Sequence, residues 1–293
     1  MTDKQNNPDL LRQIEAMLPT LSKSRRAVGR FIIDRYDKAA YMTASKLGES
    51  VSVSESTVVR FAIELGFAGY PELQHSLREL IRTKLTSVQR LEVANTRIGD
   101  GDLLEKVMQS DAENIRATLE TLDRANFAGA VDALDRSKMI YIVGMRSAAP
   151  LASFLAFYLR LVFEHVRLVA TNSGSELFEQ LLRIGEGDTL FAVTFPRYST
   201  RVVKAVEYAA AAGAHVIALT DSPSSPIAEK ADSLLLAKSD MASFVDSLTA
   251  PLSVVNALIV AVSRRRQAEI TDTFAKLEKI WEEYEVYEKP HDE

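Results

Sequence analysis

The sequence predicts a small all-helical domain followed by a larger α/β domain built on a mostly parallel five-stranded sheet. Three observations predict it. The chain has 293 residues, which at ~100–200 residues per domain points to two domains. Residues 9–85 carry apolar residues at helical spacing and no strand-like run. From Lys138 onward, short β-rich runs alternate with helical patterns, the signature of a parallel sheet covered on both faces. The expected division is 1–85, a polar linker 86–101 ending in Gly99-Asp100-Gly101, and 102–293.

In the first part, Val28, Phe31 and Ile32 place a helix in Ser22–Arg35, and Thr43 reads as the N-cap of a short helix. Pro71 follows Gly69-Tyr70 as a first-turn proline of a helix running to about Leu85. In the second part, strands are expected at 138–143, 166–170, 189–195, 215–219 and 233–236. Helices are expected between them at 148–163, 175–182, 200–212 and, briefly, Ile227–Ala231. Ligands of such sheets sit at the carboxyl ends of the strands.

Apolar residues make up 47% of the chain, enough for sizeable cores. Cysteine is absent, which excludes a disulfide framework, cysteine-ligated zinc and a thiol nucleophile, and fits a reducing cytoplasm. The N-terminus MTDKQNNPDLL has no apolar signal core. The most apolar stretch, Val245–Val262, is broken by Asp246, Pro251 and Asn256. A cytoplasmic protein without membrane contact, metal or cofactor is expected. The charge is unevenly spread: residues 1–85 hold 13 Lys and Arg against 10 Asp and Glu, the remainder 22 against 30. A mildly basic head on an acidic body suits a nucleic-acid-binding module joined to another function.

Residues 42–70 read as two short helices joined by Glu49-Ser-Val-Ser-Val53. Ser54 is the expected cap of the second, and Val58, Phe61, Ala62 and Leu65 form its buried stripe. Ser54, Glu55, Ser56, Thr57 and Arg60 are left on the leading and outer surface. Short hydrogen-bonding groups with a cation one turn later suit a helix whose N-terminus enters a DNA major groove, with Glu55 able to accept from a cytosine amino group. Lys46, Arg25 and Arg26 are further candidates for phosphate contacts. An ordinary helical hairpin with a polar face explains the spacing equally well. The segment also resembles the N-terminal domain of RpiR-type regulators, most specifically in Val53–Phe61 and Leu65–Tyr70. That resemblance implies a helix-turn-helix binding double-stranded operator DNA.

Three hydroxyl- or glycine-containing loops lie at predicted strand ends: Gly144–Ala148, Thr194–Thr200 and Ser222–Ala228. Residues 138–236 resemble the SIS, or sugar isomerase, domain that RpiR-type regulators carry, best at Gly144, Ala211–Thr220 and Ser225–Asp232. The resemblance implies an α-β-α sandwich. In that family the second loop usually reads Ser-x-Ser-Gly-x-Thr and holds a sugar phosphate. Here Thr194 and Ser199 take the outer positions, while Pro196 and Arg197 replace the inner Ser-Gly. In the first loop Arg146 replaces a glycine, and the serine position falls on Ala148, with Ser147 one residue earlier. Arg146 and Arg197 point to a small anionic effector, phosphate or carboxylate, held by charge-assisted pairs. Ser147, Thr194, Ser199 and Thr200 are its expected donors, and Tyr198 is placed to pack on its carbon skeleton. Alternatively, each arginine points to solvent or pairs with a carboxylate such as Glu176.

A sugar-phosphate isomerase is the alternative activity, and it needs a placed acid and base. His215 begins one predicted strand and His165 precedes another, which favours structural roles, and Glu176 and Glu179 read equally well as a solvated helix face. A non-enzymatic regulator is the preferred reading. Because one helix-turn-helix seldom supplies enough specificity, a homodimer or dimer of dimers is expected. Ile270, Phe274, Leu277, Trp281 and Tyr284 repeat at 4, 3, 4, 3 spacing, as an inter-subunit seam or as packing on the same domain.

Overall fold

The computed structural model describes residues 10–84, 102–171, 173–240 and 245–288. The expected linker 86–101 lies outside the described residues. The chain divides into two compact units, 1–101 with 242–245, and 102–241 with 246–293.

In the first unit the described residues are helical: α1 (Leu10–Met17), α2 (Lys23–Asp34), α3 (Tyr36–Ala39), α4 (Ala44–Ser50), α5 (Glu55–Glu64) and α6 (Tyr70–Lys84). Their inward stripes, including Val28, Ile32, Leu47, Val58, Phe61, Leu73 and Leu77, form one core. The Thr43 hydroxyl caps α4 by accepting the Lys46 amide at 3.2 Å. Tyr70 is buried, and its hydroxyl donates to the carbonyls of Ala39 (3.1 Å) and Met42 (2.9 Å). Burial pushes its pKa up to about 12.

The second unit opens with α7 (Leu103–Thr121) and α8 (Arg124–Arg136). Five strands follow: β1 (Ile140–Gly144), β2 (Val166–Val169), β3 (Thr189–Val193), β4 (His215–Thr220) and β5 (Ser233–Leu236). The intervening helices are α9 (Ala149–Val162), α10 (Gly174–Leu181) and α11 (Thr200–Ala211), and α12 (Thr249–Arg265) and α13 (Gln267–Glu283) close the chain. All four pairings are parallel, in the order β2-β1-β3-β4-β5. Alternate strand residues feed two cores, as the two-residue period requires. Ile142, Phe191, Val193, Ile217 and Leu235 pack with α8, α9 and α12. Val143, Leu190, Ala192 and Val216 pack with α10 and α11. The result is an α-β-α sandwich.

One local expectation fails. No helix forms at Ile227–Ala231. Successive turns run there, closed by Ala228 N–H to Ser225 C=O (2.9 Å) and Ala231 N–H to Ala228 C=O (3.2 Å). Only five residues separate Pro226 from Asp232, whose amide is already taken by the Val216 carbonyl (2.9 Å), too short a run to propagate a helix beyond separate turns. The α13 stripe is only partly covered: Ile270, Leu277 and Trp281 are half-buried, while Phe274 and Tyr284 are exposed. No described helix is long and apolar enough to cross a membrane.

Candidate functional sites

In the first unit, α4 and α5 are joined by a tight turn. The Val53 amide donates to the Gly48 carbonyl (2.9 Å), and Ser52 sits at φ 56°. A Cβ on Gly48 would lie 2.7 Å from the Val53 carbonyl oxygen, so only glycine lets the chain fold back this closely. The turn delivers α5 with Ser54, Glu55, Ser56 and Arg60 exposed and Thr57 half-buried. Ser54 occupies the N-cap position, yet its hydroxyl caps no amide. It lies instead 2.9 Å from both Ser56 Oγ and Thr57 Oγ1. Competition among three neighbouring hydroxyls diverts the expected cap, and the leading N–H groups of α5 stay open to an anion.

The cations of this unit separate by their partners. Arg26 donates to the carbonyls of Leu18 (2.9 Å), Pro19 (3.1 Å) and Leu21 (2.9 Å), so it braces the α1–α2 turn. Arg25 pairs with Glu64 at 2.5 Å. Arg25 has its charge countered by a carboxylate, and Arg26 has its Nε and one terminal nitrogen engaged by backbone carbonyls. Lys46 and Arg60 are exposed, and their charged groups have no partner among the described residues.

In the second unit, β2 follows β1 on one side and β3 returns on the other. The topological switch point therefore lies between the carboxyl ends of β1 and β3, where open parallel sheets bind ligands. These are the two strands that lead to Arg146 and Arg197. Gly144 and Val193, the last residues of the two strands, are register partners. Both arginines hold left-handed backbone, φ 56° at Arg146 and 63° at Arg197, and both side chains are exposed. The guanidinium of Arg146 has no hydrogen-bond or ion-pair partner among the described residues. Glu176, the carboxylate considered as a partner, instead accepts from the Thr171 hydroxyl and from Gln180 Nε2.

The remaining predicted residues sort by position. Ser147 is exposed, while Ala148 is buried in the core, so the loop's hydroxyl stands one residue early. A Cβ on Gly144 would sit 2.8 Å from the Ala148 carbonyl oxygen, which makes this β1-to-loop contact another place reserved for glycine. Thr194 is buried, and its Oγ1 accepts the Ser199 amide (3.2 Å), tying the two ends of the loop together. The half-buried Tyr198 donates to Asp221 Oδ1 (3.0 Å), so its hydroxyl anchors the loop to the end of β4. Ser199 is half-buried and Thr200 exposed at the start of α11. Two residues escaped the sequence reading. Asp221, buried, stands beside Thr220, whose hydroxyl also lies 2.9 Å from Ser225 Oγ. Arg201 reaches the Thr171 carbonyl at 3.4 Å, bridging the loops after β3 and β2. A cation in the first turn of a helix, where the dipole disfavours it, was the available signal.

A cavity of about 530 Å³ opens at the opposite, amino edge of the sheet, lined among others by Asp132, Arg136, Asp188 and His215. It lies away from the strand ends where this topology places ligands. The histidines among this unit's described residues belong to that edge too: His215 opens β4 with Nε2 3.1 Å from Ser233 Oγ, and His165 precedes β2.

Residues 8–84 match the helix-turn-helix domain of the rpiR family, and residues 133–261 match the SIS domain. The chain belongs to the RpiR-type transcriptional regulators. It is 25% identical over 288 residues to the HTH-type transcriptional regulator HexR of Escherichia coli, spanning 94% of this chain and 95% of the relative. HexR of Pseudomonas aeruginosa is 24% identical over 264 residues, 88% of this chain and 90% of that one. Among solved structures, the sugar isomerase domain of an RpiR transcription factor from Sphaerobacter thermophilus aligns with a TM-score of 0.59 at 28% identity, covering 61% of this chain and 99% of that one. NanR of Vibrio vulnificus, in complex with ManNAc-6P, aligns with a TM-score of 0.58 at 20% identity, covering 93% and 98%. This RpiR-type regulator thus joins both family domains, residues 8–84 and 133–261, in one chain.

Proposed function

We propose that this regulator binds double-stranded operator DNA as a cytoplasmic homodimer and that a small anionic metabolite, a sugar phosphate or carboxylate, controls it. The N-terminus of α5 enters the major groove. Ser54, Glu55, Ser56 and Thr57 meet base edges and phosphates there, and Arg60 and Lys46 supply the cationic contacts. The effector lies in the crevice between β1 and β3. Arg146 and Arg197 hold its anionic group, and Ser147, Ser199 and Thr200 donate to it. Thr194 and Tyr198 shape the loop.

The observation that carries the effector reading is that two arginines with left-handed backbone lie in the loops that follow the neighbouring carboxyl ends of β1 and β3. A non-glycine residue at positive φ is uncommon and costs backbone energy, so it calls for a reason in the side chain. That NanR is complexed with ManNAc-6P favours a sugar phosphate as one of the two classes. His165 and His215 lie at the other edge of the sheet, away from the proposed crevice.

Operator binding, measured by fluorescence anisotropy with and without sugar phosphates and small carboxylates, tests both halves. Arg60→Ala lowers operator affinity by about 1–3 kcal/mol if Arg60 reads a base, or flattens the salt slope by about one if it meets phosphate. Arg197→Ala abolishes the effector response while operator binding persists. Arg197→Lys restores it poorly, because the bidentate fork is lost. If Arg146→Ala and Arg197→Ala both respond like the parent protein, the effector site lies elsewhere.

A further inference from the structure

Helix α7 is amphipathic in the reverse sense. Its buried residues are polar: Asn114 and Thr118 are each 4% exposed. Asn114 donates to the Asp240 carbonyl (3.1 Å), Thr118 Oγ1 accepts the Lys238 amide (2.8 Å), and Asp111 accepts from the hydroxyls of Ser247 and Thr249. The helix is therefore fastened to its own domain by hydrogen bonds. Its large apolar residues face outward instead: beside Leu103 and Val107, exposed at its start and off this line, a line of four runs its length, with Leu104 69%, Met108 62%, Ile115 37% and Leu119 59% exposed. At helical spacing these four fall within about 60° of arc, in a strip about 22 Å long. A contiguous exposed strip of this kind marks an interaction surface, where scattered single residues would not.

The pattern itself names the occupant. The four positions are symmetric about the point between Asp111 and Ala112. An antiparallel second α7 therefore sets Leu104 opposite Leu119 and Met108 opposite Ile115, twice over, as a self-complementary interface demands. The flanking charges agree. Glu105 and Arg116 are exposed on the same flank of the strip. In an antiparallel pair like flanks meet, bringing Glu105 of one copy within about 3 Å, along the axis, of the level of Arg116 of the other. The opposite flank is already taken by Asn114 and Thr118 docking on their own domain. We propose that α7 is a self-association surface of this protein, pairing antiparallel with α7 of a second copy across a two-fold axis between Asp111 and Ala112. The inference rests on the homodimer reading and specifies its interface.

The natural absence of cysteine makes a direct test clean. In the full-length chain, Ala112→Cys, at an exposed position, yields a covalent dimer with a short bis-maleimide. Leu104→Cys alone does not, because the two copies of residue 104 lie about 22 Å apart, but mixed with Leu119→Cys protein it does. In sedimentation, Met108→Glu weakens the dimer about tenfold or more. Glu105→Arg weakens it several-fold, and adding Arg116→Glu restores it. A parent chain that sediments as a dimer while Ala112→Cys gives no covalent dimer overturns this interface and leaves the homodimer standing. Shielding of the α7 strip by the same chain's residues 1–101 overturns it as well. A parent chain that is monomeric throughout overturns both.

Discussion

An arginine at φ near 60° pays for its position, about 1–2 kcal/mol relative to a residue free of the Cβ clash, and this chain has two such arginines in the loops after the neighbouring strands β1 and β3. Glycine at either position relieves the clash and loses part of the gain to its freer unfolded chain. Arg197→Gly is therefore expected to leave urea-denaturation stability unchanged or raised by up to about 1 kcal/mol, and to be more stable than Arg197→Ala, while losing the effector response. A Gly variant less stable than the Ala variant would show that φ at this residue is not what the structure gives. Tyr70 is a second residue whose chemistry is measurable. Its pKa is raised from 10 to about 12 because burial opposes the phenolate. A raised folded-state value means the stabilisation is complete below pH 10 and lost as pH climbs from 10 through about 12. Over that window the parent protein should lose stability more steeply than Tyr70→Phe, which has no proton to lose; parallel slopes would contradict the burial. The two arginines were legible in the sequence because they interrupt a family pattern. Their backbone conformation was not, since arginine, unlike glycine, asparagine or aspartate, carries no signal for positive φ.

At the scale of elements, the strands were legible because buried parallel strands read as continuous apolar runs. Their order was not: nothing in Ile140–Gly144 or Thr189–Val193 says that they are neighbours, and that adjacency is what joins the two arginine loops. The short helix expected at Ile227–Ala231 failed for a local reason, a run of five residues ended by the Asp232 amide pairing with Val216. The Ser54 cap failed because Ser56 and Thr57 compete for the same hydroxyl. The inverted α7 was missed because its apolar pattern alone does not say which face docks. Asn114 and Thr118 turn inward only because the backbone at Lys238 and Asp240 needs partners. The α4–α5 turn offers a test at this scale. Gly48→Val drives side-chain atoms against the Val53 carbonyl, starting from a Cβ contact of 2.7 Å with rigid backbone rather than a yielding side chain. A loss of about 1–3 kcal/mol is expected, with operator binding lost more than proportionally as α5 shifts. Parent-like stability and binding in Gly48→Val would mean that the turn opens freely.

For the whole molecule, charge and symmetry decide how the parts work together. The DNA-binding segment is weakly basic and the rest acidic, so a single copy has few cations to set against phosphate and a net charge of −5 working against approach. Doubling the recognition helix is the economical way to gain both affinity and specificity. A dimer with a two-fold axis presents two α5 helices to one face of the duplex, and they meet successive major grooves about 34–36 Å apart, one helical turn. The spacing then becomes a strict variable. An operator in which five base pairs are inserted between half-sites turns the second major groove to the far side of the helix. Affinity for it should fall to that of an isolated half-site, and the slope of affinity against salt should shrink as the second set of phosphate contacts is lost. Ten inserted base pairs restore the facing but not the distance, so recovery is expected only if the connection between the units spans the added turn. Equal binding to the parent and five-base-pair operators would mean that each copy reads DNA independently, and the symmetry argued from α7 would then serve the effector domain alone.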